Sequence, residues 1–268
     1  MDNYIEGNKA AWEEAFDKRD ESWGADITDR INSEDYPFFY EEMKTVLKGL
    51  DTEGKVIGHF CCNNGRELLS LVKNGKASKG VGFDIAENQV AFANGKAAEL
   101  DIPCVFEAVN IYDIDDSYRE TFDIVIITIG ALCWFDDLNR FFAVVAKCMK
   151  PGAVIVIHEQ HPCTNMLATA GEDLYDEGHP LECHYSYFEH EWTGNEGMYY
   201  MTLKNYHSKT FTDFTHPLSE IVSGITSNGI VVTGLSEFEY DISGGFEALD
   251  NRGFPLSMII TGEKRACV

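Results

Sequence analysis

The chain is short of basic residues: 21 lysines and arginines stand against 45 aspartates and glutamates among 268 residues, a formal net charge of −24. Binding to nucleic acids and to anionic membranes begins with basic patches. We therefore expect neither nucleic acid nor a membrane surface among the partners of this protein. Apolar runs of the roughly 20 residues needed to cross a bilayer are also missing. The polar, acidic amino terminus is unlike a signal or transit peptide, which predicts a cytoplasmic protein.

Close cysteine pairs of the form CxxC are absent as well, although the chain has 8 cysteines. Structural zinc sites need repeated close ligand pairs, so we expect free or buried thiols and no bound metal. The glycine fingerprint G-x-G-x-x-G is also missing, which argues against nicotinamide-dependent oxidoreductases, whose first βα turn carries it. The sequence has no internal repeats and no low-complexity segments.

From residue 55 to residue 160, short apolar runs alternate with helical patterns. The predicted strands, in chain order, are KVIGHF, KGVGFD, CVFEAV, FDIVIIT and AVIVIHE. FDIVIIT is almost continuously apolar, as expected for a central parallel strand that is buried on both faces. Strands that alternate with helices in this way predict an α/β fold, a doubly wound sheet with right-handed crossovers.

Further elements are predicted at the two ends of the chain. Two helices come first, one near residues 8–18 and one that begins around Ser33 and Pro37. After Pro162, two aromatic runs, CHYSYFEHEW and GMYYMTLKNYH, flank the turn-like TGNEG, which predicts an antiparallel hairpin. A further helix follows, and two strands, near residues 230–235 and 256–262, close the chain.

The stretch CCNNG, residues 61–65, connects the first predicted strand to a helix. In such a strand–turn–helix unit, backbone N–H groups and the helix dipole can face a polar ligand. Asp84 ends the second predicted strand, where an acidic side chain is placed to accept both ribose hydroxyls of an adenosine-bearing cofactor. Alternatively, Gly65 only turns the strand into the helix, and Asp84 only caps the helix that follows it.

Residues 55–159 resemble the class I S-adenosylmethionine-dependent methyltransferases in the order of their motifs, from VIGHFCCNNGRE through FDIVIITIGALCWFDDL to HEQHP. The resemblance implies a mostly parallel, seven-stranded Rossmann-like sheet and S-adenosylmethionine as the cofactor. It aligns Gly65 with the last glycine of the family's G-x-G-x-G motif. The cofactor-binding residues that it implies are His59, Cys61, Asn63, Gly65, Asp84, Ile85, Asn110, Ile111 and Ile129, with Gly130 next to the last of them.

Three positions depart from the family pattern. Cys61 and Asn63 stand where the family has glycines, although asparagine tolerates left-handed backbone angles better than most residues. His59 stands where the family has an acidic residue near the methionine amine. These departures leave open a non-catalytic protein that only binds S-adenosylmethionine or S-adenosylhomocysteine, and an NAD(P)-dependent oxidoreductase of the same architecture is a further alternative. The segments CNNGRE and E-x-H-P resemble one branch of the family, but they do not indicate its reaction.

HEQHP, residues 158–162, holds the candidates for catalysis. It ends the fifth predicted strand, at the carboxyl edge of the sheet, where open α/β folds bind their ligands. Strand alternation places Glu159 and His161 on one face, from which either could orient a methyl acceptor or accept its proton. Alternatively, Glu159 hydrogen-bonds a helix and His161 caps the turn before Pro162.

The resemblance extends loosely to the carboxyl-terminal part, so we expect one methyltransferase domain over residues 1–268. Its parts are a helical cap (1–50), a cofactor-binding half (51–161), an inserted hairpin lid after the fifth strand (162–215), and a closing helix with two strands (216–268). The predicted reaction is methyl transfer to nitrogen, oxygen or sulfur of a small-molecule metabolite.

Several aromatic side chains have two interpretations at this point. The aromatic hairpin is either a lid over the substrate or a homodimer interface, since both favour Tyr, Trp and Met. Trp12 and Trp23 either cover the cofactor or hold the amino-terminal helices together. Trp134 and Phe135 belong either to the core or to the acceptor pocket.

Overall fold

The computed structural model describes residues 3–266, so the first two and last two residues of the predicted domain lie outside the described part. The strands are β1 (Val56–Phe60), β2 (Lys79–Asp84), β3 (Cys104–Ala108), β4 (Phe122–Thr128), β5 (Met149–Gln160), β6 (Glu191–Gly194), β7 (Phe211–Phe214), β8 (Ile230–Phe238) and β9 (Ser257–Lys264). The helices are α1 (Asn3–Asp17), α2 (Ile27–Ser33), α3 (Glu41–Lys48), α4 (Arg66–Asn74), α5 (Glu87–Leu100), α6 (Leu138–Cys148), α7 (Tyr199–Thr202) and α8 (Leu218–Ser227).

The main sheet has seven strands in the order β3-β2-β1-β4-β5-β9-β8. The first five strands along the chain pair in parallel, whereas β9 runs antiparallel to both β5 and β8. The predicted mostly parallel, doubly wound sheet is therefore confirmed. Because β1 and β4 are neighbours while β2 lies on the other side of β1, the strand order reverses at β1, and open α/β sheets bind ligands at such a switch point.

The sheet is buried on both faces because its central strands are apolar on both sides. In β4, Val125 and Ile127 pack with α6 and α8, whereas Ile124 and Ile126 pack against α3, α4 and α5. Each of these four side chains is at most 3% exposed. The sandwich of helices on both faces holds the carboxyl ends of the parallel strands at one edge of the sheet.

The amino-terminal helices differ in part from the predicted cap. Between residue 3 and β1 there are three helices, and α2 (Ile27–Ser33) was not predicted. Met43 and Leu47 of α3 and Ile27 and Ile31 of α2 pack on the same sheet face as α4 and α5. Helix α1 alone among these three contributes side chains to the cleft described below.

The inserted segment contains the predicted antiparallel hairpin as a separate two-stranded sheet, but its second strand lies later in the chain than expected. Strand β6 pairs with β7, from Glu191 opposite Phe214 to Gly194 opposite Phe211. TGNEG is therefore not a tight turn between two strands. The second aromatic run instead contains the short helix α7, which contacts α1. Sequence periodicity could not distinguish these cases, because both patterns place aromatic residues close together.

Among residues 3–266, no helix is both long and apolar enough to cross a bilayer.

Two glycines allow the packing of this sheet to be tested. A β-carbon at Gly82, in the middle of β2, would lie 2.5 Å from Cδ1 of Phe106 and 2.8 Å from Sγ of Cys62, both buried. We expect Gly82→Ala to lower the free energy of unfolding by about 1–3 kcal/mol because the core is overpacked. Gly95→Ala is the matched control: at this exposed position of α5 the β-carbon meets nothing within 4 Å, so the substitution should stabilise by about 0.5–1 kcal/mol. Urea unfolding measures both, and equal effects would contradict the packing argument.

Candidate active site

The turn that follows β1 has an unusual backbone. Cys61, Asn63 and Gly65, the three residues aligned with the family's glycines, have φ angles of 59°, 48° and 78°. Left-handed angles are uncommon for residues other than glycine. Cys61 and Asn63 nevertheless adopt them, so the turn has a glycine-like backbone at two positions without glycine. At Gly65 no side chain fits, because a β-carbon would lie 2.6 Å from the ring of Phe106.

Asp84 connects this turn to the end of β2. Its Oδ2 accepts the N–H of Asn63 at 2.8 Å, and its Oδ1 accepts the N–H of Ala86 at 3.1 Å. Burial raises the pKa of Asp84, and the hydrogen bonds from Ala86, Asn63 and Ile85 oppose the rise. A carboxylate has about four acceptor positions, so lone pairs remain on Asp84 for a ligand.

A cleft, called the main cleft here, opens above this turn with about 780 Å³ of empty space, part of it open to solvent. Pockets of this size hold small ligands and cofactors. Eight of the residues predicted to bind the cofactor or to lie beside it line this cleft: Cys61, Asn63, Asp84, Ile85, Asn110, Ile111, Ile129 and Gly130. His59 and Gly65 were predicted with them but lie outside this lining set.

His59 lies inside the sheet, 1% exposed. Its Nε2 is 2.9 Å from the hydroxyl of Thr128 on the neighbouring strand, and burial lowers the pKa of the imidazole to about 4. The side chain is therefore neutral at physiological pH. It carries no negative charge for the methionine amine of a cofactor, unlike the acidic residue with which it aligns.

The roof of the main cleft comes from residues of two kinds: aromatic residues for which the sequence left a pocket role open, and residues that the sequence did not predict. They are Tyr4, Ile5, Asn8 and Trp12 of α1, Gln89 of α5, Trp134 and Phe135 after β4, and Tyr200 of α7. The two tryptophans meet edge-to-face with ring centroids 5.3 Å apart. Trp12 thus belongs to the cleft, and Trp134 and Phe135 line it as well. Trp23 instead packs against Phe16 and Phe92.

Helix α1 is fixed over the cleft by the inserted hairpin. The buried amide of Asn8 donates to the carbonyl of Thr212 and accepts its N–H, both at 2.7 Å. On the other side, Nδ2 of Asn63 lies 3.4 Å from the hydroxyl of Tyr200. Amphipathic patterns indicate which face of a helix is buried but not which distant strand it meets, so these contacts had no sequence signal beyond the aromatic run.

Glu159 is 5% exposed and lies at the end of β5. Its Oε2 accepts the N–H of Gly130 at 2.7 Å, and its Oε1 accepts those of Ala131 at 2.6 Å and Leu132 at 3.0 Å. Burial raises the pKa of Glu159, and these backbone hydrogen bonds oppose the rise. The carboxylate therefore holds the loop after β4 in place, at the point where that loop borders the main cleft.

His161 lies farther from the main cleft. Its Nδ1 accepts the N–H of Cys163 at 3.1 Å, and its Nε2 is 2.9 Å from a carboxylate oxygen of Glu237 on β8. The structure thus places the two predicted catalytic residues in different surroundings, Glu159 against the β4 loop and His161 against the turn that follows β5.

A second cleft adjoins the main one, with about 610 Å³ of empty space, part of it open to solvent. Gly130 lines both clefts, and Glu159 lines the second. The other residues around it are Leu132, Cys133, Gln160, Pro162, Asn165, Asp213, Phe214, Thr215, His216 and Ile221. Asp213 was not predicted: a lone acid in a short aromatic strand gives no signal in the sequence. Burial raises its pKa to about 6.

The side chains of the main cleft fit the adenosine part of S-adenosylmethionine. Asp84 keeps free acceptor positions where ribose hydroxyls would bind. Gln89 is 1% exposed, and its Oε1 has no hydrogen-bond partner among residues 3–266, so a buried acceptor is available to a ligand donor such as an amino group. Buried polar atoms are normally paired, which makes this orphaned atom a mark of a ligand site.

Comparison with known proteins agrees with this geometry. Residues 57–152 match the family model described as a methyltransferase domain. No curated protein matches the chain.

Solved structures show the same fold. An S-adenosylmethionine-dependent methyltransferase from Mesorhizobium loti is 17% identical, with 87% of this chain and 100% of that chain covered and a TM-score of 0.62. One from Clostridium acetobutylicum is 11% identical, with 91% and 98% covered and a TM-score of 0.60. Geranyl diphosphate C-methyltransferase from Streptomyces coelicolor, in complex with Mg²⁺, geranyl diphosphate and S-adenosylhomocysteine, is 13% identical, with 98% of each chain covered and a TM-score of 0.61.

At these identities the solved structures establish the fold. The methyltransferase domain match spans β1 to the start of β5, the part of the chain that forms the cleft floor. Together with the fold it confirms that the predicted enzyme class is a methyltransferase.

Cofactor binding can be tested at Asp84. We expect S-adenosylhomocysteine to raise the melting temperature of the protein by mass action and Asp84→Ala to lose most of that rise, because the ribose acceptor is gone. Asp173→Ala, in an exposed loop, is the control and should respond like the parent. Differential scanning fluorimetry and calorimetric titration measure the effect. Equal binding by the Asp84 and Asp173 variants would remove Asp84 from the site.

Proposed function

We propose that this protein transfers a methyl group from S-adenosylmethionine, held in the main cleft, to nitrogen, oxygen or sulfur of a small molecule held in the second cleft. The observation that carries the proposal is the shared wall: Gly130 lines both clefts. When bound, S-adenosylmethionine supplies an electrophilic methyl group for in-line displacement. An acceptor in the second cleft would approach that group past Gly130.

The roof of the main cleft supports a small acceptor. Trp12, Trp134 and Tyr200 come from three separate elements and converge over the cleft, where they narrow its opening to the size of a small molecule. Holding two reactants in the productive geometry supplies about 7–11 kcal/mol, so a strong base is not required. In this proposal the inserted segment is a lid, and the homodimer interface remains the alternative prediction for its exposed residues such as Phe188, which is 75% exposed.

The lining of the second cleft supports a neutral or cationic acceptor. Asp213 and Glu159 are both acidic, and the net charge of −24 adds to the negative field around them. Asp213 has a raised pKa of about 6 and therefore remains ionised at neutral pH, yet is more basic than an ordinary aspartate. We assign it the role of accepting the proton that the acceptor loses.

For the two residues of HEQHP we propose positioning roles in place of direct proton transfer. Both oxygens of Glu159 are occupied by N–H groups of the β4 loop, so its main effect would be to hold Gly130 between the clefts. His161 would hold the turn after β5 against Glu237. Their predicted catalytic roles await the kinetic comparison described below.

The acceptor class can be determined with a labelled methyl donor. Three parallel incubations contain the protein and the labelled donor together with a small-metabolite library, a protein extract or a nucleic-acid extract. We expect label in the metabolite fraction alone, because the clefts have the size of small-molecule pockets and the net charge of −24 disfavours nucleic acid. Asp84→Ala is the control and should transfer none. Label in protein or nucleic acid would contradict the small-molecule acceptor, and cofactor binding without any transfer would favour the binding-protein alternative.

The role of Asp213 has a signature in the pH dependence of the rate. A base acts when ionised, so turnover of the parent should fall as the pH drops through about 6, the value to which burial raises the pKa of Asp213. Asp213→Asn should lower the rate about 10²–10⁴-fold and lose that limb of the profile.

Glu159→Gln is the informative comparison for Asp213→Asn. It should slow transfer but keep the limb near pH 6, because Glu159 acts through the loop. His161→Asn measured in the same way tests the role of the β5 turn. An unchanged limb in Asp213→Asn, or a lost limb in either of the other two variants, would move the proton acceptor away from Asp213.

A further inference from the structure

Three potential metal ligands meet beside the second cleft, and the proposed methyl transfer does not use them. His190 precedes β6, His216 lies between β7 and α8, and Glu220 is in the first turn of α8. One ligand atom from each lies within 4.8 Å of the others. The rings of His190 and His216 are 5.6 Å apart between centroids.

His216 is 4% exposed and is held in one orientation. Its Nε2 lies 2.8 Å from the backbone carbonyl of Phe135 and donates its hydrogen to that oxygen. In the neutral ring Nδ1 then presents a lone pair, and no group among residues 3–266 hydrogen-bonds it. Histidines that bind metals have this arrangement, one ring nitrogen bonded to a carbonyl or carboxylate and the other free for the ion.

The free ring nitrogen of His216 is a hydrogen-bond acceptor, and it faces a second acceptor. Oε2 of Glu220 lies 3.2 Å from Nδ1 of His216. A lone pair and a carboxylate oxygen repel each other at this distance unless a cation lies between them. The cation is either a proton on His216 or a metal ion. His190 places a third potential metal ligand at the same point. A proton shared by His216 and Glu220 would not need this third ligand, whereas a metal ion would.

We propose that His190, His216 and Glu220 form a site for a divalent transition-metal ion, with Zn²⁺ as the representative case. Imidazole donors favour zinc, copper and nickel over magnesium and calcium. Two histidines and one carboxylate leave a fourth position for water or another ligand. His216 is fixed by its bond to Phe135, whereas His190 is exposed and Glu220 is 43% exposed, so these two adjust their side chains around the fixed ring.

A metal ion at this site would hold two separate elements together. An ion there connects the start of the β6–β7 hairpin to the first turn of α8, and His216 is also part of the wall of the second cleft. Occupancy would therefore stabilise the hairpin against the body of the protein and fix one wall of that cleft.

The test uses the full chain, first treated with a chelator and then titrated with Zn²⁺, with Co²⁺ as a spectroscopic probe and Mg²⁺ as a comparison ion. We expect one equivalent of Zn²⁺ to be retained after dialysis, a higher melting temperature, and visible absorption bands from Co²⁺. Mg²⁺ should produce none of these. His190→Ala and Glu220→Gln, at the two more exposed ligands, should weaken Zn²⁺ binding at least about tenfold. His207→Ala, at an exposed histidine outside the site, should bind like the parent.

His216→Ala removes a buried side chain, so the two other variants decide the outcome. Their folding is checked by the S-adenosylhomocysteine melting shift, which depends on the main cleft and not on these ligands. Retention of Zn²⁺ by both variants at the parent affinity would overturn the proposal, as would failure of the parent to bind one equivalent. The second result would identify the contact of His216 and Glu220 as a proton-mediated ion pair. Either result leaves the proposed methyl transfer unaffected, because its own test measures labelled product.

Discussion

The hydrogen bond from the N–H of Asn63 to the carboxylate of Asp84 is the contact around which the floor of the main cleft is organised. It joins the left-handed turn after β1 to the end of β2, at the switch point of the sheet. A non-glycine residue at positive φ costs roughly 1–2 kcal/mol, and the turn contains two of them, Cys61 and Asn63. The half-buried carboxylate stabilises this conformation by accepting the N–H of Asn63 within the turn.

The carboxylate of Glu159, which is buried at the end of β5, fixes the backbone of the loop after β4 in a similar way. Glu159 accepts three N–H groups from the β4 loop and so places Gly130 at the border of the two clefts. In both cases the backbone carries part of the ligand-binding surface, and an acidic side chain from the neighbouring strand fixes it. Cys61 and Asn63 both adopt the left-handed backbone angles that glycine adopts most easily, so this turn keeps its shape with side chains at two of its positions.

The lid depends on contacts between segments that are distant in the sequence. Asn8 hydrogen-bonds Thr212 in both directions, and Trp12 packs against both Trp134 and Phe211. These contacts bring α1 over a cleft whose floor is made from β1, β2 and β4. The proposed metal site lies on the same hairpin, on the side that meets α8. The inserted segment thus contributes to both clefts, with Tyr200 in the roof of the main cleft and Asp213 in the wall of the second.

The sequence alone determined the sheet, because alternating apolar runs and helical periods are local patterns that the buried strands and amphipathic helices must satisfy. It also determined the floor of the main cleft, since Asp84 and the CCNNG turn lie at strand ends that parallel pairing brings together. The inward position of His59, the pairing of β6 with β7, and the places of Trp12, Gln89 and Asp213 were decided only by tertiary structure. Each depends on which distant surface a side chain meets, and hydrophobic periodicity specifies that a face is buried without specifying against what.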